Sequence, residues 1–160
     1  MKSTVYLETS VISYLASRLS RDLIVAGHQQ ISQDWWESRA SWDLYISALV
    51  IAEARAGDPA IAERRLALLS GLSLLHLNES AISLAEQLLT HAALPAKARE
   101  DALHIAVAAV HGIDYILTWN CKHIANATKR PHIERLCEAS GYRPPIICTP
   151  EELLGDDHVD

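Results

Sequence analysis

The chain reads as an α/β protein built on a parallel sheet. Short apolar runs of strand character alternate with longer segments of helical period, which is the pattern of successive βα units. An acid or amide also recurs at the exits of these units, at Glu8, Glu53, Asp101 and Asn120. In open α/β proteins chemistry collects outside the carboxyl ends of the strands, so polar side chains at those exits mark a candidate site.

The elements follow in order. Thr4–Leu7 is the first strand, running straight into Glu8-Thr9-Ser10, and a helix starts at Ser10 and continues to about Ala16. Residues 21–38 carry a second helix, with Leu23, Ile24 and Ala26 toward its start and Trp35-Trp36 toward its end. Leu44–Ser47 is a strand followed by a helix over residues 48–56, which carries Glu53. Asp58-Pro59 places an N-cap before a proline at the first helical position, opening a helix to about Ser70. Residues 73–77 read as a strand, and Asn78 caps a helix with Ala81, Leu84 and Leu88 on its inner face. The next helix spans about 96–111 and is closed by Gly112. Tyr115–Thr118 is a strand, Pro131 opens a late helix ending before Gly141, and Ile146–Cys148 forms a short last strand. No repeat, low-complexity tract or linker divides the chain, which predicts a single domain over residues 1–160 with an acidic tail at about 151–160.

At 160 residues the chain is long enough to bury roughly 70% of the surface its unfolded form exposes. No stretch approaches the ~18 uninterrupted apolar residues of a membrane span, and no basic segment precedes a hydrophobic signal core, so the expectation is a soluble cytoplasmic protein. Cys121, Cys137 and Cys148 are odd in number and form no CxxC pair, which favours packing thiols over disulfides or zinc. The net charge of −6 argues against coating nucleic acid by bulk electrostatics. It does not exclude a nuclease, because a metal site is itself acidic and the tail carries Glu151, Glu152, Asp156, Asp157 and Asp160.

Hard cations take oxygen ligands, and magnesium or manganese sites combine one or two carboxylates with water and substrate phosphate. Glu8, Glu53, Asp101 and Asn120 supply that inventory from four different elements. Each also has an ordinary reading: Glu8 as a strand-end acid in water, Glu53 as a solvated helix acid, Asp101 as a helix-dipole partner worth about 0.3–1 kcal/mol, Asn120 as a turn residue. Gathered without a cation, such carboxylates repel one another, so a cluster predicts a bound ion.

Order and local context add a resemblance. Val5-Tyr6-Leu7-Glu8-Thr9-Ser10, Ser47-Ala48-Leu49-Val50-Ile51-Ala52-Glu53, Asp101-Ala102-Leu103-His104-Ile105-Ala106 and Ile116-Leu117-Thr118-Trp119-Asn120 resemble the four motifs of PIN-domain ribonucleases, many of which are VapC-type toxins of bacterial toxin–antitoxin pairs. The resemblance implies a three-layer α/β/α sandwich with a central parallel sheet, a Mg2+ or Mn2+ cluster at the strand C-termini, and hydrolysis of RNA phosphodiesters. It makes Glu8, Glu53, Asp101 and Asn120 the catalytic and metal-site residues, with Ser10 and Thr118 as orienting hydroxyls. It also implies an antitoxin partner.

Two positions depart from that pattern. The family usually has Asp where this chain has Glu8, and the extra methylene moves the carboxylate outward by roughly 1.5 Å. The fourth motif usually offers Asp where this chain has Asn120, which removes a negative charge. Both keep an oxygen donor, and together they predict a site that holds one metal more firmly than a second.

Arg18 and Arg21 lie beyond the first motif, Lys97 and Arg99 precede Asp101, and Lys122 follows Asn120, so these cations are the expected phosphate contacts for RNA. Each also reads as an ordinary surface charge. His104 reads first as a partly buried structural histidine, His123 as a surface residue and Asp114 as a turn residue. Trp35 and Trp42 are seven apart and share one face if the helix continues between them, for core packing or for a homodimer or antitoxin surface.

Two rival classes stand beside this reading. A PIN-like shell without catalysis, kept as a partner-binding protein, is consistent with Glu8 and Asn120. An aspartyl-nucleophile phosphohydrolase lacks its Asp-x-Asp after the first strand, and the six isolated glycines form no phosphate-cradling loop.

Overall fold

The computed structural model describes residues 1–155. Five parallel strands, β1 (Thr4–Leu7), β2 (Asp43–Ser47), β3 (Ser73–Leu75), β4 (Tyr115–Leu117) and β5 (Ile146–Cys148), form one sheet in the order β3-β2-β1-β4-β5. Helices α1 (Thr9–Ala16), α2 (Leu23–Glu37), α3 (Ala48–Ala54) and α4 (Pro59–Leu69) connect the first three strands, α5 (Glu79–Thr90) and α6 (Arg99–Val110) lead to β4, and α7 (Arg130–Ala139) leads to β5. The chain steps outward from β1 to β3, then returns across the sheet to place β4 on the other side of β1. Because parallel crossovers keep one hand, reversing direction moves the helices to the opposite face. Packing agrees, since α1 meets α2, α3 and α4 while α5 meets α6 and α7. The result is the three-layer α/β/α sandwich expected from the sequence.

The central strand shows why the sheet is covered on both faces. Val5, Tyr6 and Leu7 are all fully buried despite alternating sides. The edges are different: Leu74 of β3 and Ile146 of β5 are exposed. On one face α6 buries Ala102, Ile105, Ala106, Val107 and Ala108 completely, and this mostly small surface brings α5 close and carries His104 into the core.

Local chemistry sets the element ends. Asp58 accepts from the amides of Ala60 (2.9 Å) and Ile61 (3.2 Å), and Asn78 accepts from that of Ala81 (2.9 Å). Gly112 (φ 69°) and Gly141 (φ 88°) follow α6 and α7 in the left-handed conformation that favours glycine.

Several boundaries and placements differ from expectation. Helix α6 begins at Arg99, not near Ala96, because residues 95–98 form a turn closed by the Ala98 amide on the Pro95 carbonyl (2.9 Å). Asp101 therefore lies in the first helical turn, where an acid offsets the exposed amides. Trp35 and Trp42 share no helical face, because α2 stops at Glu37 and a 3-10 turn over Arg39–Ser41 intervenes. Trp35 is wholly in the core, while Trp42 packs edge-on against Tyr115 at 5.7 Å. Cys137 and Cys148 are buried thiols, pushed up by burial to about 11 and about 12, whereas Cys121 is exposed. In the C-terminal acidic segment, Glu151 and Glu152 belong to a 3-10 turn over Pro150–Leu153, and Asp156, Asp157 and Asp160 lie outside the described residues. Among the described residues no helix is long and apolar enough to cross a membrane.

Candidate metal and catalytic site

The chain reverses its stepping direction between β1 and β4, and the polar residues gather beyond the C-terminal ends of these two strands. Glu8 is the residue where β1 hands over to α1. Its backbone amide still pairs with the Leu117 carbonyl of β4 (3.1 Å), and its side chain caps the helix by accepting from the Ser10 amide (3.2 Å). The carboxylate is only 5% exposed. Its Oε1 also accepts from Ser10 Oγ (2.5 Å) and Thr118 Oγ1 (2.6 Å). Those hydroxyls are held in turn by the backbone after β4: the Trp119 amide donates to Ser10 Oγ (2.8 Å) and the Asn120 amide to Thr118 Oγ1 (2.9 Å). Ser10 and Thr118 thus orient Glu8, as neutral donors that leave its charge uncancelled.

Glu53 arrives from α3 on the neighbouring strand. Its Oε1 accepts from Thr9 Oγ1 (3.1 Å) and from His104 Nε2 (2.5 Å), and Oε2 takes no hydrogen bond from the described residues. Burial pushes this carboxyl up. The His104 hydrogen bond and charge, with Thr9, outweigh that and hold it below the ordinary range. His104 is fully buried, and its other nitrogen, Nδ1, lies 2.6 Å from the Tyr6 hydroxyl, which is 2.8 Å from Ser47 Oγ. Burial, opposed by the Ser47 hydrogen bond, pushes the Tyr6 phenol far up, so it keeps its proton. Both imidazole nitrogens are therefore engaged, and the ring fixes Glu53 much as a histidine–carboxylate pair fixes a metal ligand from behind.

Asp101, from α6, forms a third group. Its Oδ1 accepts from Asn120 Nδ2 (3.0 Å) and its Oδ2 lies 2.8 Å from His123 Nδ1. The amide orientation of Asn120 follows from its other contact, since Oδ1 accepts from the His123 backbone amide (3.1 Å). Asn120 was expected to offer an oxygen to a cation. Here that oxygen is turned to the backbone and the amide nitrogen faces Asp101, an arrangement an aspartate at 120 could not make without placing two negative charges together.

One carboxylate oxygen each from Glu8 and Glu53 and a ring nitrogen of His104 lie within 4.8 Å of one another. Asp101 is outside that group and holds its own partners. The donor set suits a hard divalent cation: two oriented carboxylates, one with an oxygen uncommitted to protein, backed by hydroxyls and an imidazole. The sequence reading had His104 as partly buried and His123 as a surface residue. The structure buries the first wholly and pairs the second with Asp101. Sequence alone assigns no role to Tyr6, and it shows Thr9 only as one of the two hydroxyls that follow Glu8. Arg18, Arg21, Lys97, Arg99 and Lys122 are all exposed, and among the described residues none forms a salt bridge.

Among known proteins, no family profile and no curated relative matches the chain. A solved structure does, that of VapBC2 from Rickettsia felis bound to a DNA fragment from its promoter, at 17% identity and a TM-score of 0.58, covering 91% of this chain and 98% of the other. The fold is VapC-like. At that identity the likeness speaks for the shared architecture, which the strand order and layers describe independently.

Proposed function

We propose that the protein is a metal-dependent endoribonuclease, acting as the toxin of a toxin–antitoxin pair. The observation that carries this reading is the approach of Glu8 and Glu53 beside His104, with Asp101 held separately by Asn120 and His123, where the side-chain partners of the three acids include no lysine or arginine among the described residues. A VapC-like fold with acids at this position supports it.

Glu8 and Glu53 would hold Mg2+ or Mn2+, with Asp101 beside them. When bound, such an ion makes water easier to deprotonate and offsets charge on the phosphate oxygens. The protein's part is to keep ligands fixed and the phosphate in place. Ser10 and Thr118 orient Glu8, His104 and Thr9 orient Glu53, and Asn120 with His123 orients Asp101. Because Asn120 directs its nitrogen at Asp101, the Glu8–Glu53 pair is the firmer cation position. The free side chains of Arg18, Arg21, Arg99 and Lys122 are the phosphate contacts of this reading. An antitoxin would cover part of the surface; Leu19, Leu23 and Ile24, at 79%, 88% and 72% exposure, are a run of exposed large apolar side chains suited to such cover, and a homodimer is the other candidate.

A mixed single-stranded RNA pool, incubated with purified protein and manganese, magnesium or chelator, tests the proposal. Metal-dependent cuts that disappear in Asp101→Asn are expected. The engagement of both Asp101 oxygens, by Asn120 and His123, favours a second reading, a PIN-like protein that has kept partner binding and lost catalysis. Folded, partner-free protein that leaves every RNA intact with either metal decides for that reading.

A further inference from the structure

Three partly buried aromatic rings collect around Trp119, which packs against the core and stands one residue before Asn120. His28 of α2 stacks on Trp119 with ring centroids 4.0 Å apart and an interplanar angle of 12°, and Tyr14 of α1 stands edge-on to both, at 5.8 and 6.1 Å. All three keep part of their surface in water. The chain has four tryptophans, five tyrosines and no phenylalanine, so this is a costly use of its few large rings if packing were the whole purpose. Trp119 lies between Thr118 and Asn120, and its backbone amide holds Ser10 Oγ, which in turn holds Glu8. Its indole is locked in orientation, donating through Nε1 to the fully buried Ser32 Oγ (2.7 Å), which donates to the His28 carbonyl (2.7 Å). The stack is therefore rigid and one residue from the acid cluster.

A cationic loop is tied to the same place. Gln29, next to His28, is buried and grips the α1–α2 connection with both ends of its amide, donating to the Arg18 carbonyl (2.9 Å) and accepting from the Ser20 amide (2.9 Å). This keeps the segment that bears Arg18 and Arg21 against the helix that bears His28. A positive segment that follows a phosphate backbone, combined with partly exposed rings on which bases stack, is how proteins hold unpaired strands.

We infer that Tyr14, His28 and Trp119 form a stacking platform for an unpaired nucleobase of single-stranded RNA, next to the phosphate presented to Glu8 and Glu53. The inference rests on the nuclease reading for its substrate, and it assigns that substrate a strand state. Duplex RNA, whose bases are already stacked on one another, gains nothing from the platform.

The test separates binding from cutting. The full chain is titrated, in chelator, into a short unstructured oligoribonucleotide carrying 2-aminopurine, whose fluorescence is quenched on stacking, and into a duplex of the same sequence. The native protein is expected to quench the single strand. His28→Ala should weaken binding by about 10-fold, in line with one lost stacking contact, and remove most of the quenching, whereas His28→Phe should restore both. Duplex affinity should be the same for all three proteins. Circular dichroism confirms that each is folded, and Tyr14→Ala provides a second variant on a different helix. Equal single-strand affinity and quenching across the native protein, His28→Ala and Tyr14→Ala overturn the platform, even where metal-dependent cleavage proceeds normally. Quenching that follows the aromatic substitutions in a protein that cuts nothing upholds the platform and removes the nuclease reading alone.

Discussion

The two ends of the β1–β4 strand pair each carry acids, and they use them in opposite ways. At the N-terminal end Asp114 has a partner at each oxygen: Oδ2 accepts from the Thr4 amide (2.9 Å) and hydroxyl (3.1 Å), Oδ1 accepts from Arg143 (2.9 Å), and the Asp114 amide donates back to Thr4 Oγ1 (2.9 Å). At the C-terminal end Glu8, Glu53 and Asp101 are fixed as carefully in direction, but by hydroxyls, an amide and imidazoles, with no guanidinium or ammonium among the described residues. An acid paired with a permanent cation has finished its work in the folded state. Acids oriented by mostly neutral donors keep negative charge in a partly buried place, and such charge is stabilised by a cation from outside.

The largest expected effect is on cleavage. Glu53→Gln keeps the shape of the side chain and removes its charge, and should lower the rate on the order of 100- to 1,000-fold, the scale seen when one oriented electrostatic contact is removed from an active site. Asp114→Asn, at the other end of the strands, should stay within about 3-fold. Steady-state rates on one RNA substrate decide it, and comparable losses at both ends would remove the functional distinction between them.

His104 sharpens the contrast because it belongs to fold and site together. His104→Ala removes a fully buried ring and leaves the Tyr6 hydroxyl with Ser47 alone and Glu53 with Thr9 alone, so a loss of roughly 2–4 kcal/mol in unfolding free energy is expected. Urea unfolding measures it. His104→Gln, which can still donate to Glu53, should recover part of the metal affinity while the stability deficit remains. Recovery of stability without metal affinity would mean that the histidine serves packing alone.

Metal addition distinguishes the two ends without any RNA. With Mn2+ at about 100 times its dissociation constant, selective binding to the folded state adds about 2.7 kcal/mol, or a rise in Tm of roughly 5–10 °C for a chain of this size. Glu8→Gln and Glu53→Gln should lose most of that rise, and Asp114→Asn should keep it. A rise of the same size in all three variants would place the ion elsewhere.

How much of this was readable from the chain follows from which contacts are local. The sheet and its layers were legible because strand runs, Asp58-Pro59, Asn78, Gly112 and Gly141 mark element ends within a few residues of sequence. Glu8 and Asn120 stand out because the first directly follows a strand and the second comes within three residues of one. The service of His104 to Glu53 was not legible. It depends on the depth at which α6 lies against β1 and α3, across 51 residues of sequence. Asn120 read as an oxygen donor because composition cannot tell which end of an amide faces which neighbour; the His123 amide decides that in the folded chain. Asp114 read as a turn residue for a related reason, since Thr4 lies 110 residues away and Arg143 is brought up only when β5 pairs with β4.

The smallest effect, and the one with a defined pH signature, belongs to Asp114. The Thr4 amide and the Arg143 guanidinium hold its carboxyl below the ordinary range against a small opposing push from burial. A carboxyl lowered in the folded state stabilises the protein above its unfolded pKa of about 3.9, and that contribution disappears as pH falls through the folded value. Asp114→Asn should therefore cost roughly 1 kcal/mol at pH 7, a figure kept small because the pair with Arg143 is solvent-screened. The gap between native and variant protein should close as pH drops below about 4. Raising salt should narrow the gap at pH 7 only in part, because the Thr4 hydrogen bonds are local while the Arg143 attraction is screened. A gap that vanished in high salt would assign the whole effect to Arg143, and Arg143→Ala would then reproduce it.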